Sequence, residues 1–278
     1  MAKIIDGRLL AEKIKDQVFV KTSKLKDRRP SLAIILIGER SDSQLYVSLK
    51  EKEAVKVGID THLYKCPENI SEKEVIDMIK FLNTDDNVDA ILVQLPLPKN
   101  LDTDKIIECI DYQKDVDCFH PKNLENINCD KMLSPVYGTV LEMLQSIDYD
   151  LKEKKVCIIA NSDIFGNNLQ KVLQSKENSL DISVVRFSDK DLAGKTSQAD
   201  ILITAVGEPE FIKSDMVKQD AVVIDVGIYK EAGEVYGDVD FEDVKDKVSY
   251  ITPVPGGVGP MTIAMLFKNT LKLFEKKK

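Results

Sequence analysis

Apolar strand-like runs alternate along this chain with amphipathic stretches whose apolar residues recur every three to four positions. The runs fall at 31–38 (S-L-A-I-I-L-I-G), 60–65 (D-T-H-L-Y-K) and 89–95 (D-A-I-L-V-Q-L). After a gap they resume at 155–160, 181–186, 200–206, 221–226 and 249–252. Continuous Val/Ile/Leu runs separated by amphipathic segments predict parallel strands buried on both faces and joined by helices, an α/β pattern. The gap, 119–154, holds Pro121, Pro135 and the polar stretch N-L-E-N-I-N-C-D, with a helix predicted after Gly138. It places a domain junction near residue 120, between a first domain at 1–120 and a second at 121–258. The closing segment, P-M-T-I-A-M-L-F-K-N-T-L-K-L-F, has helical period and is expected to return, as a helix over 259–278, to complete the first domain. No internal repeat is visible.

Length and composition narrow the function classes. The 278 residues suffice for two ordinary domains, and 43% hydrophobic with 31% charged residues is the balance of a water-soluble globular chain. A formal net charge of −8 argues against general nucleic-acid binding. No apolar run reaches membrane-spanning length, and the start, M-A-K-I-I-D-G-R, lacks the apolar stretch of a secretion signal. The five cysteines are unpaired by any C-x-x-C spacing and there are only two histidines, so no metal site is expected. Reduced thiols in a cytoplasmic protein are the plain reading.

Several strings carry candidate chemistry. Tyr46 and Lys50 lie four residues apart in a segment expected to be helical, so both project from one face. A lysine held beside a phenol and partly desolvated loses its proton more easily, which makes the pair an acid/base candidate; a solvated helix face is the competing reading. Gln94 ends a buried strand in V-Q-L-P-L-P and needs a partner, either backbone or a functional lysine. In K-D-V-D-C-F-H-P, Asp115 and Asp117 are two apart in extended chain and face opposite ways. The string T-P-V-P-G-G-V-G-P-M-T packs three prolines and three glycines into nine residues between a strand and a helix, which suits the wall of a site.

In the second strand group, A-N-S-D-I-F-G-N-N-L gives a strand, a short turn and a helix, where a pyrophosphate can rest on free N–H groups. Only Gly166 of a glycine-rich fingerprint is present. Asn161, Ser162, Asp163, Ile164 and Gly166 are therefore cofactor candidates. Ala205, Val206, Gly207, Asp225, Gly227 and Ile228 join them, at the carboxyl ends of predicted parallel strands, where open α/β sheets bind ligands. Plain turn chemistry is the competing reading of the glycines.

Taken in order, S-x-x-Y-V-x-x-K, V-Q-L-P-L-P, K-D-V-D-x-F-H-P, I-D-V-G-I, G-D-V-D-F and P-V-P-G-G-V-G-P resemble the bifunctional methylenetetrahydrofolate dehydrogenase/methenyltetrahydrofolate cyclohydrolase family, often called FolD. The likeness runs over essentially the whole chain. It implies two α/β domains with a cleft between them, the C-terminal one Rossmann-like with a mostly parallel sheet. It implies oxidation of 5,10-methylenetetrahydrofolate with NADP, NAD being the alternative, and hydrolysis of the methenyl product to 10-formyltetrahydrofolate. By the same likeness Lys50 is the acid/base residue, Tyr46 orients the folate, Gln94 hydrogen-bonds Lys50, and Asp117 accepts hydrogen bonds from the pterin. Leu95, Pro96, Pro255, Gly256 and Gly257 line the folate site. A homodimer is implied too, with tetrahydrofolate one-carbon derivatives as the small-molecule partners.

The departures from the family pattern lie in the cofactor half. Where many members read V-V-G-R-S-x-x-V-G-x-P, this chain has Ala160, Asn161 and Asn168 in place of the first glycine, the arginine and the proline. Where many read H-S-[KR]-T-x-x-L, it has Arg186, Phe187 and Asp189. The K-D-V-D-G glycine is Cys118. These changes keep open a cyclohydrolase with weakened dehydrogenase activity, and a nucleotide site that tolerates NAD. A short-chain dehydrogenase also uses Tyr-x-x-x-Lys, but its nucleotide turn precedes the tyrosine, the reverse of the order here. A non-catalytic folate binder would not need Tyr46, Lys50, Gln94 and Asp117 together.

Overall fold

A computed structural model describes residues 2–125 and 127–277. Met1, Asn126 and Lys278, which fall within the predicted domain segments, lie outside the described residues. The strands are β1 (Lys3–Ile4), β2 (Ser31–Ile37), β3 (Asp60–Cys66), β4 (Ala90–Val93), β5 (Lys155–Ala160), β6 (Asp181–Val185), β7 (Ile201–Ala205), β8 (Val222–Asp225), β9 (Tyr229–Glu231), β10 (Glu234–Tyr236) and β11 (Tyr250–Ile251). The helices are α1 (Gly7–Thr22), α2 (Ser41–Lys56), α3 (Glu72–Thr84), α4 (Thr103–Glu108), α5 (Pro121–Leu124), α6 (Pro135–Gln145), α7 (Asp163–Lys176), α8 (Leu192–Thr196), α9 (Phe241–Val244) and α10 (Val258–Lys276). They form two compact α/β units, as the periodicity predicts. One holds residues 12–126, 132–135 and 263–278; the other holds 1–11, 127–131 and 136–262.

The first unit is built on a three-stranded parallel sheet in the order β3-β2-β4. All seven residues of β2 are buried, which is why its sequence reads as one apolar run. Successive side chains still point to opposite faces. Leu32, Ile34 and Leu36 pack on one side with Val47 and Ala54 of α2 and with Leu266, Phe267 and Phe274 of α10. Ala33, Ile35 and Ile37 pack on the other with Val75, Ile79 and Leu82 of α3 and with Ile106 and Ile107 of α4. Helix α3 starts in a full capping box: Ser71 Oγ accepts from the Glu74 N–H, and the Glu74 carboxylate accepts from the Ser71 N–H. The closing helix is tied down by Asn269, whose Nδ2 donates to the carbonyls of Val116 at 3.1 Å and Leu133 at 2.8 Å.

The second unit carries a six-stranded sheet, β1-β11-β8-β7-β5-β6, parallel at every pairing. Its order reverses direction beside β5, placing the carboxyl ends of β5, β7 and β8 side by side. Cys157 and Ile159 of β5, Leu202 of β7 and Val223 of β8 fill its core against Ile212, Val217 and Val244. The first residues of the chain belong here, since β1 pairs with β11 as Lys3↔Tyr250 and Ile4↔Ile251. An antiparallel pair, β9 and β10, turns through Ala232 and Gly233, both with positive φ.

Candidate active site

Helix α2 carries Tyr46 and Lys50 one turn apart. Both are half-buried, and burial raises the pKa of the Tyr46 phenol. Gln94 follows β4 directly. Its N–H donates to the Ile35 carbonyl at 2.9 Å, extending the ladder by one residue and fixing where the side chain starts. Lys50 Nζ then donates to Gln94 Oε1 at 2.9 Å, while Gln94 Nε2 donates to the Leu95 carbonyl at 2.8 Å. The amide is thus used at both ends, which leaves its oxygen for the lysine. The Leu95–Pro96 peptide bond is cis.

The sequence predicts extended chain at Asp115 and Asp117, but of the two only Asp115 makes a strand-like bridge, to Ile91. Residues 116–117 form a turn and Cys118 has positive φ, so a turn and not strand alternation separates the two carboxylates. Asp115 is 1% exposed, and its Oδ2 accepts from the His120 N–H at 2.8 Å and from Asn123 Nδ2 at 2.9 Å. It fixes the start of α5. Asp117 points elsewhere and interacts electrostatically with Lys50. Burial pushes the Lys50 ammonium below the usual lysine range, with Asp117 opposing. Burial pushes the Asp117 carboxyl up to about 6, with Lys50 pulling it back and Asp115 adding to the rise. For both groups desolvation outweighs their mutual attraction. A lysine whose neutral form burial favours gives up its proton more readily, which suits an acid/base role. Cys118, in the place of the family's glycine, takes a left-handed backbone with φ 56°, and burial holds its thiol protonated. A cavity of about 490 Å³ opens at the carboxyl ends of β2 and β3, lined by Gly38, Glu39, Gln44, Lys65 and Glu68 among others; none of the predicted site residues lines it.

The other predicted residues lie in the second unit. Pro255 follows a cis peptide bond and is exposed, whereas Gly256 and Gly257 are buried. A side chain at Gly257 would meet the Pro253 carbonyl at 2.6 Å, and one at Gly7 would meet Gly257 itself at 1.8 Å, so the glycines let the loop lie against the start of α1. Ser162 caps α7, its Oγ accepting from the Phe165 N–H at 3.3 Å. Asn161, Ser162, Asp163 and Ile164 are exposed around this helix start, and Gly166 is buried against Val184. Free N–H groups of a first helical turn suit a pyrophosphate.

Arg186, at the end of β6, donates to the Asn161 carbonyl at 3.4 Å and pairs with the Asp163 carboxylate. Asp189 is paired with Lys195 at 2.6 Å and accepts from the Asp191 N–H. Ala205, Val206 and Gly207 are half-buried at the end of β7, and Ile228 is exposed. Asp225 is 2% exposed and its carboxylate accepts three backbone N–H groups. Sequence reasoning gave no role to Asp238, Thr204 or the bonded pair Tyr137 and Asn168, all buried here. The string G-D-V-D-F held the signal for the first. Among the described residues no group of three or more His, Cys, Asp or Glu is arranged to hold a metal, and no helix is long and apolar enough to cross a membrane.

Residues 5–117 match the family "Tetrahydrofolate dehydrogenase/cyclohydrolase, catalytic domain", and residues 135–278 match "Tetrahydrofolate dehydrogenase/cyclohydrolase, NAD(P)-binding domain". The bifunctional protein FolD of Nautilia profundicola is 46% identical over 276 residues, covering 97% of this chain and 96% of that protein. The crystal structure of bifunctional FolD from Campylobacter jejuni superposes with a TM-score of 0.93 at 41% identity and full coverage of both chains. That of the Trypanosoma brucei enzyme, complexed with NADP cofactor and inhibitor, gives 0.93 at 32% identity, covering 99% of this chain and 98% of that one. On the strength of both domain matches and near-complete relatives, the chain belongs to the tetrahydrofolate dehydrogenase/cyclohydrolase family.

Proposed function

We propose that Lys50 is the acid/base residue of this bifunctional enzyme, with Gln94 and Asp117 as its partners and Tyr46 orienting the substrate. The enzyme oxidises 5,10-methylenetetrahydrofolate and hydrolyses the resulting methenyl compound to 10-formyltetrahydrofolate. The observation that carries the assignment is the hydrogen bond from Lys50 Nζ to Gln94 Oε1 at 2.9 Å, made by a lysine whose ammonium burial disfavours. In the hydrolysis, neutral Lys50 takes a proton from the water that attacks the methenyl carbon. The ammonium then returns a proton to the ring nitrogen as its bond to that carbon breaks, while the carbinol C–O becomes the formyl C=O and its hydroxyl proton leaves to solvent. Gln94 holds the lysine in place through both protonation states, because its carbonyl oxygen accepts equally from an amine and an ammonium. Asp117 accepts hydrogen bonds from the pterin amino group and ring nitrogen.

The first unit serves as the folate-binding and catalytic domain, and Leu95, Pro96, Pro255, Gly256 and Gly257 line the folate. The second serves as the dinucleotide domain. Asn161, Ser162, Asp163, Ile164 and Gly166 hold the pyrophosphate, Arg186 meets the adenosine ribose, and Ala205, Val206, Gly207, Asp225, Gly227 and Ile228, at the turns after β7 and β8, hold the rest. The exposed start of α7 fits that role. The nicotinamide ring, when bound, supplies the hydride acceptor. We assign NADP as the cofactor, since Arg186 is a cation at the strand end where a 2′-phosphate is read. The protein acts as a homodimer in the cytoplasm, a reading supported by its family and by five free thiols.

The test is Lys50→Met, which removes the proton carrier and keeps an unbranched stem. Hydrolysis of methenyltetrahydrofolate, followed by its absorbance, is expected to fall to the uncatalysed rate while circular dichroism and the melting temperature stay unchanged. Near-normal hydrolysis by the folded variant removes Lys50 from the mechanism.

A further inference from the structure

Two carboxylates lie fully inside the second unit, Asp225 at 2% and Asp238 at 0% exposure. Neither meets a cation within hydrogen-bonding reach among the described residues; both are spent on backbone. Asp225, the last residue of β8, accepts from the N–H groups of Gly227 at 2.9 Å, Asp238 at 3.2 Å and Val239 at 2.9 Å. Its own N–H donates to Thr252 Oγ1 at 2.8 Å. Asp238, placed by those bonds, then accepts four donors of its own. Its Oδ2 takes the Thr204 hydroxyl at 2.6 Å and the Val206 N–H at 2.8 Å; its Oδ1 takes the N–H groups of Gly207 at 2.8 Å and Glu208 at 3.0 Å.

The network accounts for residues that local turn rules leave unexplained. A side chain at Gly227 would lie 2.1 Å from the Asp238 carboxylate, and one at Gly237 would lie 2.1 Å from Asp225 Oδ2. Gly207 bends back with φ 85° so that three successive N–H groups converge on one carboxylate. The strings A-V-G-E, D-V-G-I and G-D-V-D are thus parts of a single device, and that device shapes the turn at the carboxyl end of β7. Turns at such strand ends are where an open α/β sheet holds its ligand.

We propose that Asp238 is a positioning residue for the dinucleotide: it consumes the N–H groups of Val206, Gly207 and Glu208 and so fixes the turn that the cofactor packs against. Asp225 acts one step behind it, by setting the backbone of Asp238. The inference rests on the assignment of the second unit to the dinucleotide.

Asp238→Asn tests it. The asparagine has the same shape, but its NH₂ turns a donor toward one pair of the four donors, so two of them lose their acceptor. Charge and position predict opposite signs. Removing a negative charge near a phosphate-bearing ligand would tighten its binding, whereas loosening the turn weakens it. Titration calorimetry with NADP⁺ and with a folate ligand, alongside a thermal melt, separates the cases. The expected result is a tenfold or greater rise in the NADP⁺ Kd, an unchanged folate Kd and a folded protein. Unchanged or tighter NADP⁺ binding overturns the proposal, and so does an equal loss of both ligands. If Asp238→Asn does not fold, Thr204→Val removes one donor and keeps the three N–H bonds. It is then expected to raise the NADP⁺ Kd about threefold with the folate Kd unmoved, and no change overturns the proposal. Wild-type protein that binds no dinucleotide at all removes the parent assignment instead, which keeps the two failures distinct.

Discussion

Asp117→Asn moves the pH profile of the cyclohydrolase toward acid. Lys50 feels two opposed influences: burial, which favours the neutral amine, and Asp117, which favours the ammonium. Neutralising Asp117 leaves burial unopposed. An opposite charge a few ångströms away shifts a pKa by roughly 1–3 units, and the lower end applies here because both side chains are only half-buried. One unit corresponds to about 1.4 kcal/mol between the two protonation states. The expected displacement is therefore about one pH unit, downward, in whichever limb of the profile Lys50 carries. Asp117 itself is pushed up to about 6, so below that pH the wild-type carboxyl is also neutral and the two profiles converge. The groups titrate as a pair, and the limbs belong to the pair. The assay is kcat for methenyltetrahydrofolate hydrolysis at saturating substrate over a pH series, with enzyme-free rates subtracted. Saturation matters because Asp117 is also the proposed acceptor of the pterin, which puts that loss into KM. A limb that stays in place, or moves toward alkali, refutes the proposed coupling of Lys50 to Asp117.

Three other outcomes follow from the same geometry. Asp117→Ala is expected to weaken folate binding by roughly 1.5–3 kcal/mol, the usual cost of hydrogen bonds to a charged acceptor, and to leave the NADP⁺ Kd unchanged in calorimetry. Asp163→Ser frees Arg186 from an exposed ion pair worth up to about 1 kcal/mol, so the preference for NADP over NAD rises by up to about fivefold in parallel kinetic titrations; a fall in that preference places the ribose elsewhere. Asp117 is raised to about 6 by burial and Asp225 to about 7 by burial and by the charge of Asp238, so each binds its proton more tightly folded than unfolded. Their contribution to stability is full below about pH 4 and is lost as pH rises through 6 and 7, so this part of the urea midpoint falls between about pH 4 and 7 and is flattened by Asp225→Asn; a variant that falls as steeply as the parent removes Asp225 from the account.

The parts of this molecule that could be read from the chain are those whose cause is local. β2 reads as a strand because every residue in it is buried, as in β8, and the runs at β5 and β7 are buried at all but one end residue each. The division of labour between Asp115 and Asp117 is made by the turn at 116–117 and not by the strand alternation the sequence suggests, and the meeting of Lys50 with Gln94 follows from the family likeness. β1 was invisible because a two-residue strand has no period; it exists only through its pairing with β11, some 250 positions away. The β9–β10 hairpin escaped notice because Ala232, not Asn or Asp, occupies the first positive-φ position of its turn.

The cofactor half was hardest to read for a related reason. Its departures from the family pattern are met by partners distant in sequence. Asn168, in the place of the proline, is buried and bonded to Tyr137, 31 positions earlier. Arg186, in the place of the histidine, lies over the Asn161 carbonyl and pairs with Asp163, 23 positions back. Asp189, another departure from the family pattern, has its charge matched by Lys195. Each of these substitutions looks like erosion when taken alone. In the folded unit the carboxylates at 163 and 189 face cations and the amide at 168 has a partner, so the changes replace one set of satisfied contacts by another. A buried polar group without a partner is costly, and a site decaying under mutation would be expected to accumulate such groups. The contacts found here instead support the proposed dinucleotide site at Arg186, where a 2′-phosphate would have to displace Asp163.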